Sequence, residues 1–268
     1  DFWFGDLERS MMVIERLPAE RRSELAVSPG GRSVPLVVYG EREDRSGPAN
    51  FNSAIGAREP AAYMDKDQRA RPVLMFLGPV HGHEIEALTG LINLITVMET
   101  GRDLRGRDQA RLRALGERCR LLIIPIGNPD GVARFEPRRL DGMALADLEF
   151  RGQGAWAIDR LCGWPGVKRV HPMVGDPVGF MGCCFNDAGV NPMHDEFFAL
   201  MGDEVAAFLE LARVEGPDLA VSLHSHAHPP ALLRPAYVPM AIQRDVRDLA
   251  ERYYALMDER DLPHAAPF

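Results

Sequence analysis

Several common protein classes are ruled out by what this sequence has little of. No apolar run approaches the roughly 20 residues that cross a bilayer, so no membrane partner is expected. Positive charge is in deficit: 39 acidic against 31 basic residues leave a formal charge of −8. That is the wrong sign for a partner whose phosphates must be neutralised by clustered Lys and Arg, and no nucleic-acid partner is expected. Cysteine is scarce, with four in 268 residues and no Cys-x-x-Cys. A disulfide framework and a cysteine-built zinc site are therefore both excluded. His-Glu-x-x-His and Gly-x-Ser-x-Gly are also missing, which removes the helical zinc-protease motif and the serine-hydrolase elbow. The opening "DFWFGDLERS" has no basic leader followed by an apolar core, so a cytoplasmic location is the expectation. The chain starts on Asp and stops at "LPHAAPF", from which we expect a sequence incomplete at its C-terminus.

What is present has the balance of a globular protein, 46% hydrophobic and 26% charged, and one domain over residues 1–268 is the expectation. "SELAVS" and "RSVPLVVYG" around "PGG" predict an antiparallel hairpin, and residues 41–71 a long polar loop. "RPVLMFLGPV" predicts a buried strand. It feeds a helix over 84–100, where Leu88, Leu91, Ile92 and Ile95 fall on one face. A second helix is predicted over 107–119, then an apolar strand, "RLLIIPIGNPDG", closed by an Asn-Pro-Asp-Gly turn. Residues 132–190 lack periodicity and predict loops over one rim. A helix over 194–216 with a Met201, Val205, Phe208, Ala212 stripe, a strand in "LAVSLHSHAH" and a helix over 241–260 complete the pattern. Strands alternating with helices predict an α/β sandwich around a mixed or largely parallel sheet.

In such a sheet, sites form where loops leave the carboxyl ends of strands. Three predicted strand ends are polar: His81 to Glu86, Asn128 to Asp130, and His224 to His228. Imidazole nitrogen and carboxylate oxygen are zinc donors, and a catalytic zinc usually takes three of them. "GPVHGHEIEA" offers two overlapping frames, His81 with Glu84 and His83 with Glu86. Helix geometry favours the first, because Glu86 lies about 200° further round than Glu84. Of the alternating His224, His226 and His228, the first is aimed at the site if the strand ends near it, leaving the others on the rim.

"GPVHGHE", then "NPDG", then "GVN", then a strand ending "LHSH" resemble the ordered landmarks of the zinc metallocarboxypeptidases, the carboxypeptidase A-like family. The resemblance covers about residues 22 to 230. It implies a three-layer α/β/α sandwich with a central mixed, largely parallel sheet. It also implies Zn2+ held by His81, Glu84 and His224, and hydrolysis of an amide bond in a peptide by metal-activated water, with a nearby Glu as general base. An oxyanion-stabilising Arg is implied in the segment after "NPDG", where Arg138, Arg139 and Arg151 lie; Arg139 and Arg151 are the candidates. Two further departures stand out. Met193 and His194 occupy the place of the family's carboxylate-binding Asn-Arg, so Asn191, His194 and Arg234 become the candidate substrate contacts. No general-base Glu is visible before Phe268, since Glu251 and Glu259 sit on a charge-laced helix. "HGHE" is also similar to the signature of the aspartoacylase and succinylglutamate desuccinylase deacylases, which take small N-acyl amino acids. A noncatalytic metal-binding relative is the third alternative.

Overall fold

The structure, a computed structural model, describes residues 2–43, 51–59, 69–167, 172–195, 199–225, 229–233 and 238–265. The chain separates into two compact units, residues 1–225 and 226–268. The first unit is built on β1 (Arg22–Val27), β2 (Ser33–Tyr39), β3 (Val73–Leu77), β4 (Arg120–Ile124) and, after a small hairpin of β5 (Ala155–Trp156) with β6 (Val178–Phe180), β7 (Leu219–Ser222). Five of these form one sheet in the order β1-β2-β4-β3-β7. β2 is antiparallel to β1 and β4, whereas β3 is parallel to β4 and β7, so four strands run one way and β2 runs against them.

The expected hairpin forms around Gly31, whose φ of 73° is open to glycine at no steric cost. Pro35, which has no N–H to give, faces Glu24 beside a bulge in β1. In β3 and β4 the two-residue alternation divides the core. Leu74, Phe76, Leu121 and Ile123 face one side, with helices α1 (Leu7–Glu15) and α3 (Ile85–Thr100) against them. Val73, Met75, Leu122 and Ile124 face the other, where Phe208, Leu211 and Ala212 of α8 (Asp203–Glu215) pack. A helical layer therefore covers each face, giving the three-layer α/β/α sandwich. In α3 the stripe Leu88, Leu91, Ile92 and Ile95 is buried as its spacing predicts, and the helix ends on left-handed Gly101.

Elsewhere the expectations need correction. Residues 132–190 are not all loop: they hold α6 (Leu145–Gln153), α7 (Trp164–Val167) and the β5–β6 hairpin. "NPDG" is no strand-closing turn. Asn128 caps the short helix α5 (Pro129–Arg134) by accepting from Gly131 N–H at 2.9 Å, with Pro129 in the first turn. Helix α4 is Ala110–Gly116, shorter than expected, because the Asp103 carboxylate draws the amides of Arg105 and Arg107 into a loop. α8 starts late for a similar reason. Asp195 accepts from Met201 N–H and Gly202 N–H, which leaves Met201 exposed ahead of the helix. Among its described residues, the expected loop at 41–71 contains the short helix α2 (Phe51–Gly56).

The second unit is organised by α9 (Met240–Asp258), on which Tyr254 stacks with His264 at 4.6 Å and accepts from Leu232 N–H. Among the described residues no helix is long and apolar enough to cross a membrane.

Candidate metal centre

β3 lies inside the sheet, and the chain leaving its carboxyl end is held tightly. Gly78 N–H donates to Ile124 O at 2.7 Å, Gly82 N–H to Cys183 O at 2.7 Å, and Glu84 N–H to His81 O at 2.9 Å. Gly82 is required by close approach, since a Cβ there would lie 1.9 Å from the Gly131 carbonyl carbon in α5. The loop thus sits directly on the first turn of α5, and Asn128 Nδ2–H secures it further by donating to Val80 O.

Glu84 occupies the N-cap position of α3 but makes no side-chain cap. Its carboxylate instead meets two imidazoles. His81 Nδ1 lies 3.0 Å from Glu84 Oε1, and His224 Nδ1 lies 2.8 Å from Glu84 Oε2. The ring centroids of His81 and His224 are 5.1 Å apart. Burial raises the affinity of the Glu84 carboxyl for its proton, but hydrogen bonds with His224 and His81, and their charge, outweigh it and lower the pKa to about 2. The carboxylate is therefore ionised at neutral pH. One ligand atom from each residue fits within 4.8 Å of the others, and among the described residues this is the one such group of three. The donor set, two nitrogens and a carboxylate with no thiolate, suits zinc and leaves room for a further ligand.

His83 and Glu86 stay outside this group. His83 is buried against Phe135 and α6, so close that a Cβ on Gly152 would lie 2.6 Å from its Cε1. Burial lowers its pKa to about 4, against the pull of Glu84, so the ring is neutral at pH 7. Glu86 points outward and accepts from Ser225 Oγ–H at 2.6 Å.

The other expected site residues are more scattered. Asn191 is fully buried; its amide donates to Val167 O and its oxygen accepts from Met193 N–H. It thereby fixes a 3-10 turn, Pro192–His194, to the end of α7. His194, on that turn, lies beside the group, 6.5 Å from the His81 ring and 6.1 Å from the half-exposed Trp164. Arg139 faces away, its guanidinium 5.9 Å from the Trp3 ring, and Arg138 donates to Val132 O. Arg151 is half-buried in the last turn of α6. Glu251 and Glu259 are exposed, as a solvated face predicts. His226, His228 and Arg234 lie outside the described residues.

Three features of the site were not read from sequence. Ser222 Oγ lies 3.1 Å from His224 Nε2, Ser225 meets Glu86, and Trp164 extends the aromatic series. The serines were legible as neighbours of His224 in "SLHS". Trp164 carried no signal beyond its residue type.

No family model and no curated protein sequence matches the chain. Solved structures do. Thrombin activatable fibrinolysis inhibitor aligns over 97% of this chain and 57% of its own, at 12% identity and a TM-score of 0.52. The metallo-carboxypeptidase from Burkholderia cenocepacia aligns over 89% and 47%, at 17% identity and a TM-score of 0.46. Carboxypeptidase A from Helicoverpa armigera aligns over 94% and 52%, at 14% and 0.46. The chain spans about half the length of these structures. It has the metallocarboxypeptidase fold, at an identity that makes it a distant example of it.

Proposed function

We propose that this chain belongs to a zinc-dependent hydrolase that cleaves an amide bond in a peptide or peptide-like substrate, with His81, Glu84 and His224 as the metal ligands. The observation that carries this reading is the convergence of two imidazole Nδ1 atoms on the two oxygens of one buried carboxylate, where the chain leaves the carboxyl ends of adjacent parallel strands. A zinc ion there supplies Lewis acidity towards the scissile carbonyl and lowers the pKa of water. The chain's own residues do the rest. Glu84 contributes the negative charge that would retain a dication, and the two imidazoles would complete the set with nitrogen donors. His194 and Trp164 line the approach on one side, where a substrate's planar or apolar groups would lie. Of the two candidate arginines we assign Arg151, in the last turn of α6, to meet developing negative charge, because Arg139 lies against the Trp3 ring.

The purified chain is expected to carry about one zinc, lost with His81→Ala, Glu84→Ala or His224→Ala. Hydrolysis of a blocked dipeptide should exceed that of an N-acetyl amino acid. Zinc retained by both the His81→Ala and Glu84→Ala proteins would sink the ligand assignment. Faster hydrolysis of the N-acetyl amino acid would move the protein to the deacylases.

A further inference from the structure

His224 is held differently from the rest of the metal group. Its strand, β7, is at the edge of the sheet among the described residues, and its residues alternate between half-buried and exposed. Among the described residues, backbone pairing continues as far as Leu223, whose N–H donates to Leu77 O at 2.9 Å. His224 comes next, so its position depends on polar contacts at either side. On one side Ser222 Oγ meets Nε2 at 3.1 Å, which leaves Nδ1 to face Glu84. On the other, Ser225 Oγ–H donates to Glu86 Oε2 at 2.6 Å. Glu86 lies in the first turn of α3, the helix that Glu84 opens.

We propose that Glu86 is a positioning residue: with Ser225 it latches the end of β7 to the start of α3, and with Ser222 orienting the ring it holds His224 Nδ1 at the metal centre. This rests on the metal-binding reading above. The latch ties both ends of the His224–Glu84 contact to one rigid helix turn. Without it an exposed segment must be ordered at the moment the metal binds, which lowers affinity. A carboxylate near a dication could also help by charge alone. The two explanations differ in what they predict for glutamine, which keeps an oxygen for Ser225 Oγ–H and removes the charge.

The experiment measures zinc affinity of the full chain by competition with a chromophoric chelator, together with the visible spectrum of the cobalt(II)-loaded protein. Glu86→Ala and Ser225→Ala should each weaken zinc about tenfold, and the double variant no more than either alone. Glu86→Gln should return affinity to within about threefold of the parent. Ser222→Ala should also weaken zinc about tenfold and shift the cobalt bands, because the ring loses the contact that fixes its orientation. Zinc affinity of Glu86→Ala equal to the parent's overturns the latch. A Glu86→Gln affinity as low as that of Glu86→Ala overturns it too, in favour of charge. A parent chain that takes up no zinc fails at the earlier step and removes the metal reading itself.

Discussion

The two halves of the candidate centre are built by different physics. His81 and Glu84 are 4% and 6% exposed, on a loop pressed between β3, α3 and α5. His224 follows an edge strand, and its side chain is 26% exposed. Close packing fixes the first half, so its geometry is inseparable from the stability of the fold. Hydrogen bonds to hydroxyls and a surface carboxylate fix the second, so it can change with little effect on folding. Substitutions in the buried half should therefore register as lost stability, and those in the edge half mainly as lost metal affinity.

The largest effect is expected at Gly82. A methyl group there would sit inside van der Waals distance of three backbone atoms of Gly131 and Val132, none of which can rotate away. Gly82→Ala should cost about 3 kcal/mol of unfolding free energy and abolish zinc binding, since the loop must lift off α5. Urea denaturation checks this. A midpoint matching the parent's would mean that the loop and α5 are not packed as described, and the contrast between the halves would lose its basis.

A second device of the buried half is Asp130, in the first turn of α5. Its carboxylate, with a side chain 0% exposed, accepts from Ser28 Oγ–H, Arg32, and the N–H groups of Gly30 and Asp187. Burial raises its pKa, but these hydrogen bonds outweigh it and hold the carboxyl below the ordinary Asp value. A depressed pKa stabilises the fold above the unfolded-state value of about 3.9, and the contribution is lost as pH falls through the folded-state value. Asp130→Asn should cost about 2 kcal/mol at pH 7. That gap should narrow as the pH is lowered below about 4, as followed by thermal unfolding in a pH series. A gap independent of pH would show that packing, not ionisation, is what Asp130 contributes.

The same division explains what could be read from the sequence. Strands β3 and β4 and helix α3 were legible because each buries a regular set of side chains, such as Leu88, Leu91, Ile92 and Ile95. The His81–Glu84 pair was legible because it combines donor chemistry with a strand-to-helix boundary. Residues 132–190 were opaque because their strands are two and three residues long and their order comes from distant backbone partners. Cys183 illustrates this: its N–H donates to Arg151 O and its carbonyl accepts from Gly82 N–H. No periodicity records such contacts. The start of α5 did carry a signal, an Asn cap followed by proline, but the adjoining glycine made it resemble a turn. His83 shows the opposite case, a residue with ligand chemistry whose fate was decided by the absence of a side chain at Gly152.

The comparison that separates the halves most directly is between the two histidines in metal-free protein. His81→Ala removes a buried ring and one contact to the Glu84 carboxylate, so both a cavity and a lost hydrogen bond should appear, about 3 kcal/mol together. His224→Ala removes the other contact from a ring that water already reaches, leaving little cavity, and should cost about 1 kcal/mol. Both variants are expected to lose zinc, so metal content would not distinguish them, and denaturant midpoints after chelation would. Equal destabilisation would mean that the edge half is as firmly packed as the centre. In that case the polar contacts around His224 would be a consequence of its position, not the cause of it.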